Sequence, residues 1–350
     1  MDDSSSRKLK GQLFQIVFLL FDSGTVPVCG SSVLKMHGLS PAIYPPSQVA
    51  ISARSLGCRI LCIMYTLALA MTALSPVPPA LNEYSRSGRG GTLATMRRSA
   101  AAAVGRALAD DLELLEIEFP PLCERKTQFD DYSNTEVLDA NRDFAMEFGV
   151  ERELTAVAPD RTKWMCFADD GEAELAREAW PGTIYKEATI TSISAAVSAG
   201  GAKPLKPFGA WAVKSKAEEE EARAKQAPAA ALQLVVQPGD GGPIEDWLNL
   251  ELLRKESTPM VCINGALDKV TSGYYSNFLN PKLAQCSERF FSKFEQVYYC
   301  KPVGSGRGWL FRVYPEPWQL YRQTREDLEL VETYETRPKL ADCTERLRRP

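Results

Sequence analysis

The sequence predicts an α/β fold: a mostly parallel sheet with helices on both faces in a Rossmann-like three-layer arrangement, and antiparallel strands added near the C-terminus. Three observations lead there. Short apolar or β-branched runs alternate with longer runs of helical period from about residue 93 onward, which is the pattern of right-handed βαβ crossovers. The last 60 residues hold four strand-like runs with no long helical run between them, which suggests antiparallel additions at one edge. No internal repeat divides the body, and its roughly 250 residues can be one domain.

Taken in order, Thr92–Asp110 places Leu93, Met96, Ala100, Val104 and Leu108 at helical spacing. Leu112–Phe119 alternates as a strand and stops at Pro120-Pro121. Ser133 and Glu136 make a capping box for a helix that runs to Phe148 and ends at Gly149. Leu154–Ala158 reads as a short strand, Asp169–Trp180 as a helix capped by Asp169 or Asp170, and Ala188–Ile193 as a β-branched strand. Residues 200–209 read as a loop.

Lys214–Gln226 (KSKAEEEEARAKQ) is a charge run of helical composition, expected to be a solvated insertion at about 214–228. Ala231–Gln237 is a strand, PGDGG a tight loop, Pro243–Arg254 a helix and Pro259–Asn264 a strand. Lys282–Gln296 is an amphipathic helix with Leu283, Cys286, Phe290 and Phe294 on one face. Val297–Cys300, Trp309–Tyr314, Trp318–Arg322 and Leu328–Tyr334 are strands, the last three a possible meander. Pro338 precedes a final short helix.

Charge separates the first 92 residues from the domain at 93–350. Residues 1–98 carry ten basic and four acidic side chains, and residues 99–350 carry 31 and 41. A basic, acid-poor, Ser/Pro/Ala-rich stretch before an acidic body reads as an organelle-targeting leader. Two apolar runs, Leu13–Phe21 and Ile60–Leu74, each follow basic residues and have the length of a signal-peptide core. An anchor at 56–75 is the other reading of the second run, at the short end of what a span needs.

The net charge of −4 gives no electrostatic basis for nucleic-acid binding. The single histidine, His37, lies in the leader. A body without histidine cannot run Ser-His-Asp or Cys-His chemistry, nor hold zinc through imidazole. No Cys pair has the CxxC spacing of a zinc ribbon, and Cys166, Cys262 and Cys300 sit in apolar runs as small buried hydrophobes do. No cofactor is expected.

Parallel sheets bind ligands beyond the carboxyl ends of their strands. Those ends give Glu118, Asp160, Gly239–Asp240 and Asn264. Together they would make an oxygen-rich rim suited to hydrated Mg²⁺, an amine or a sugar hydroxyl. The plainer reading is that strands end in polar loops in any protein. Glu116 and Glu118 lie on one face, roughly 7 Å apart by strand rise. That spacing serves paired acid/base work, or the wet face of an edge strand. Asn141 and Arg142, mid-helix between apolar neighbours, are candidates for tying their helix to an adjacent loop. PGDGG could present amides to a phosphate but lacks GK[ST] and does not fit GxGxxG.

Three ordered blocks carry a resemblance: LLEIEFPPL, DANRDFAMEF, and ERFFSKFEQVYYCKP with GWLFRVYPEPW. Together they resemble a plastid and cyanobacterial family of unknown biochemical function, the one that includes the chloroplast LOW PSII ACCUMULATION 3 protein. The similarity runs over roughly residues 96–340. It implies a chloroplast protein of the stroma or the stromal thylakoid face. There it would help photosystem subunits, with those subunits or other assembly factors as partners, and peripheral thylakoid association. The same domain resembles one joined to adenylate kinase in some plant proteins. This keeps an alternative open: a nucleotide- or metal-binding enzyme using carboxylates at the strand ends.

Overall fold

In the computed structural model the described residues are 77, 78, 81, 93–121, 134–159, 161–180, 188–206, 214–239, 244–272, 274–325 and 327–349. Most of residues 1–92, both apolar runs included, and Ser133 of the capping box, Asp160 and Asp240 lie outside them; Leu81, within the stretch read as a leader, is buried in the main core. Contact clustering divides the chain into Met1–Met71 and Thr72–Pro350, and the fold below belongs to the second unit.

Six apolar runs become parallel strands: β1 (Leu114–Glu118), β2 (Lys163–Phe167), β3 (Ala188–Ser192), β4 (Leu232–Val236), β5 (Met260–Ile263) and β6 (Glu295–Val303). Three more, β7 (Gly308–Val313), β8 (Trp318–Gln323) and β9 (Leu328–Tyr334), follow as hairpins. All nine join one sheet in the order β3-β2-β4-β5-β1-β6-β7-β8-β9. Pairing is parallel from β3 to β6 and antiparallel from β6 to β9. The predicted mixed sheet is therefore the observed one, with the antiparallel part starting at the β6–β7 hairpin.

Helices cover both faces. On one lie α1 (Ala94–Ala109), α2 (Asn134–Gly149), α3 (Arg152–Val157) and α4 (Asp170–Ala179). Their apolar sides meet Leu115, Ile117, Met165, Leu234 and Ile263 in the largest core. On the other lie α5 (Ile193–Ala199), α7 (Ile244–Leu253), α8 (Leu267–Thr271) and α9 (Pro281–Arg289), against Cys166, Val235, Met260 and Cys262. There α10 (Leu340–Arg348) covers the antiparallel strands through Cys343 and Leu347. Each fully buried large apolar side chain stabilises by about 1.5–3 kcal/mol, which is why alternation along each strand settles which residue faces which layer.

Three expectations are corrected. Leu154–Ala158 is not a strand: Arg152–Val157 is helical, and Leu154 is buried against α1. Arg97 of α1 pairs with Glu147 and Glu151 on either side of Gly149, which fixes the chain in a second helical turn. The strand is instead Lys163–Phe167, buried at all five positions. Such a run has no period to read, and its first residue, Lys163, is buried and donates to the Gly149 carbonyl.

The helix expected over Lys282–Gln296 ends at Arg289, followed by a 3₁₀ turn at Phe291–Lys293. The backbone leaves helical geometry at Phe290 (φ −123°, ψ −60°), and Phe290, Phe291 and Phe294 pack on one another in the second core. The charge run is not wholly solvated. It forms α6 (Lys214–Gln226), whose Ala217, Glu220, Glu221 and Ala224 face inward at helical spacing. Glu220 is 3% exposed and accepts two bonds from Arg177 of α4, at 2.9 and 2.7 Å. Arg177 also donates to the Ile190 carbonyl of β3 at 3.1 Å, so α6 shields the sheet's edge strand.

Candidate functional site

The carboxyl ends of the central strands are built around three buried amides. The chain leaves β4 at Gln237 (φ 47°) and β5 at Asn264 (φ 48°) and Ala266 (φ 50°), all in the left-handed region. Such residues cost about 1–3 kcal/mol each and persist where surroundings over-determine them. Here the Asn264 Nδ2 donates to Asn141 Oδ1 at 2.6 Å, and the Asn141 Nδ2 donates to Gln237 Oε1 at 2.5 Å. Asn264 Oδ1 accepts from the Phe119 backbone amide at 2.8 Å. One side chain of α2 thus ties together the ends of β1, β4 and β5. Arg142, next on α2, donates to Glu172 of α4 at 2.9 Å and pairs with Asp139.

Glu118 belongs to the opposite face. A bulge between Glu116 and Ile117 pairs Glu116 with Gln296 and Glu118 with Tyr299. Bulges re-aim side chains, and this one turns Val297 and Tyr298 to the first face while Gln296 and Tyr299 stay with the two carboxyls. Asp268 of α8 accepts from Lys301 at 2.7 Å and from the Tyr299 hydroxyl at 3.0 Å, and pairs with Arg337. Lys301 also lies 3.8 Å from Glu118. Arg337 stacks over the Tyr299 ring at 4.7 Å and the Trp318 ring at 5.5 Å. The Gln296 side chain donates to Glu116 Oε2 at 2.9 Å.

Three carboxyls and two cations are therefore held at the seam between the parallel and antiparallel parts of the sheet. Buried Glu116 Oε1 and Glu118 Oε2 find no donor among the described residues. Burial, then the Glu118 charge, push Glu116 up to about 8. Burial pushes Glu118 up to about 6, with Lys301 opposing it. Burial acts upward on Asp268 too, but Lys301 and Arg337 outweigh it and hold that carboxyl below its ordinary value. A proton on Glu116 leaves the cluster neutral near pH 7.

A cavity of 320 Å³ opens at the carboxyl ends of β2 and β3. The helices after these neighbours, α4 and α5, take opposite faces, which is the condition for a crevice in an open α/β sheet. Asp169, Asp170, Ser194, Lys206, Asp246 and Asn249 line it. Asn249 holds Leu205 by two bonds, 2.8 and 3.0 Å, across its mouth. Burial, then Asp169 and Glu245, push Asp246 up to about 6. Among the described residues no group of three His, Cys, Asp or Glu is placed to hold a metal ion.

The rim read from the sequence is thus divided by the sheet. Asn264 and Asn141 meet on one face, and Glu118 turns to the other. The strand expected before Asp160 is the helix α3. Asp160 and Asp240 themselves lie outside the described residues. Sequence reading missed Asp268, Lys301 and Arg337. The one available signal was a lysine, Lys301, inside the apolar run VYYCKPV. On the surface, the segment between α8 and α9 exposes Tyr274 (73%), Phe278 (90%) and Leu279 (74%).

A family model described as a domain of unknown function (DUF1995) matches residues 91–345, and the chain belongs to that family. No curated protein and no solved structure matches it.

Proposed function

We propose that this DUF1995 protein is a plastid protein with a non-enzymatic assembly or interaction role at the thylakoid, serving photosystem II subunits as the sequence resemblance implies. The observation that supports it is the state of the central strand ends. The positions where a parallel sheet presents reactive groups are occupied by side chains bonded to one another: Asn264, Asn141 and Gln237 on one face, Glu118, Asp268, Lys301 and Arg337 on the other. Those groups fasten the fold, and the surface is left to do the work. The test is disruption of the gene followed by measurement of photosystem II accumulation. Reduced accumulation is expected; unchanged levels would sink the reading.

The cavity at β2 and β3 favours a second reading, a ligand-binding domain. Its carboxylates suit an amine, a polyol or a magnesium-bridged nucleotide better than a bare phosphate. Thermal shift with magnesium, nucleotides and sugars distinguishes the two. A stabilisation abolished by Asp246→Asn supports the second reading, and no shift with any of them removes it.

A further inference from the structure

We propose that the segment between α8 and α9 is a docking wedge for an anionic lipid bilayer. Residues 270–281 (VTSGYYSNFLNP) contain no charged side chain, and a lysine stands at either end, Lys269 and Lys282. Both lysines are exposed, as are Tyr274, Phe278 and Leu279 between them. Asp268, the neighbouring acid on one side, is turned inward onto Tyr299, Lys301 and Arg337. On the other side the next acid in the chain is Glu288, well along α9.

The wedge has a built base. Tyr275 is half-buried with its ring 5.4 Å from that of Trp247, and Tyr274 meets Tyr275 edge-on at 5.2 Å. Trp247 is fully buried and donates to the Gly265 carbonyl at 2.9 Å. The Asn280 amide returns to the Ser276 carbonyl at 2.9 Å, closing one turn that carries Phe278 and Leu279 at its tip.

An apolar tip, aromatic shoulders, Ser and Asn between them and a lysine on each flank make the arrangement that partitions into a membrane interface. Apolar groups enter the acyl boundary, aromatic rings sit at headgroup level, and lysines reach lipid phosphates. The positive flanks select an anionic surface over a zwitterionic one. They must do so locally, because the body as a whole is acidic. The inference stands on this segment and does not rest on the assembly role.

The test is vesicle sedimentation of the full chain with phosphatidylcholine alone and with added phosphatidylglycerol. Hydrogen exchange across residues 274–280 runs in parallel, so that binding by the leader is told apart from binding by the wedge. Wild type should prefer the anionic vesicles, with exchange at 274–280 slowed only there. The pair Phe278→Ser and Leu279→Ser should weaken partitioning about 10- to 100-fold and abolish the local protection. The pair Lys269→Gln and Lys282→Gln should weaken anionic binding by about thirtyfold at low salt and leave neutral vesicles unaffected. Phe278 and Leu279 are exposed, so the melting temperature of the Ser pair should stay at the wild-type value. Unchanged exchange at 274–280 on anionic vesicles, equal partitioning of the Ser variant, or loss of a co-purifying protein partner with no vesicle binding would each overturn the proposal. The last of these would make the wedge a protein contact.

Discussion

A carboxyl group that is fully buried, with one oxygen lacking a donor, keeps its proton well above the ordinary range, and Glu116 is such a group. Its pKa is raised on folding from about 4.5 to about 8, so the folded state binds the proton more tightly than the unfolded chain. The resulting stability is complete below pH 4.5 and is lost as pH rises through 8. Asp268 has the opposite sign: its pKa is lowered, so its contribution is present above 3.8 and lost as pH falls below that. Replacing Glu116 by Gln supplies the shape of the protonated acid at every pH. Denaturant titration should find Glu116→Gln near wild type at pH 5 and more stable at pH 9, by on the order of a few kcal/mol. A variant destabilised equally at both values would show that the charge is not what the site resists. On the other face of the sheet, Asn264 combines a left-handed backbone with two side-chain bonds. Asn264→Ala loses the bonds and strains the backbone, whereas Asn264→Gly loses only the bonds. Both should lower stability, Ala by about 1–2 kcal/mol more than Gly, and equal losses would mean that φ at 264 costs nothing.

Among the elements, α6 shows how a charge run becomes structure. Glu220 occupies an inward position of the helix and is neutralised there by Arg177, which is bonded in turn to β3. Breaking a buried pair leaves an uncompensated charge, so Glu220→Ala should cost roughly 3 kcal/mol in chemical denaturation. A solvated linker would register within about 0.5 kcal/mol, and that result would return α6 to the status of a solvated run. The misreading has a physical cause: periodicity is scored on apolar residues, and two positions of this helix's inner stripe are glutamates. Elements with an apolar period and a marked end were legible, as β1 was before Pro120-Pro121 and α4 behind its Asp169 cap, which accepts from the Glu172 amide at 2.9 Å. Elements without a period were not. β2 is buried throughout, and α5 begins directly at Ser192, which is both the last residue of β3 and the cap for the Ala195 amide. The site divides the same way. Glu118 could be singled out because a carboxylate is unexpected in a parallel strand. Its partners Asp268, Lys301 and Arg337 come from separate elements that only the fold brings together.

At the scale of the molecule, the parallel and antiparallel parts share one sheet through the β1–β6 pairing, and the charge cluster lies at that seam. Its cations come from the antiparallel side, Lys301 on β6 and Arg337 just before α10. Two of its carboxyls come from β1 and the third from α8. The C-terminal segment therefore does two things at once. It covers Tyr299, Leu310, Trp318 and Leu320 with Cys343 and Leu347, and it supplies half of the positive charge that the buried carboxyls face. Removing residues 337–350 should therefore destabilise the parallel half as well as the hairpins. Loss of the two buried apolar contacts and of one cation amounts to several kcal/mol. For a domain of this size that lowers the melting temperature by more than about 10 °C. Calorimetry of the truncated chain at pH 7 should show one transition, shifted down as a whole. Adding Asp268→Asn to the truncation should recover part of the loss, since it removes negative charge that Arg337 no longer offsets. An unshifted main transition, with only a minor early one lost, would mean that the hairpins and α10 form a separate unit added to a self-sufficient parallel sheet.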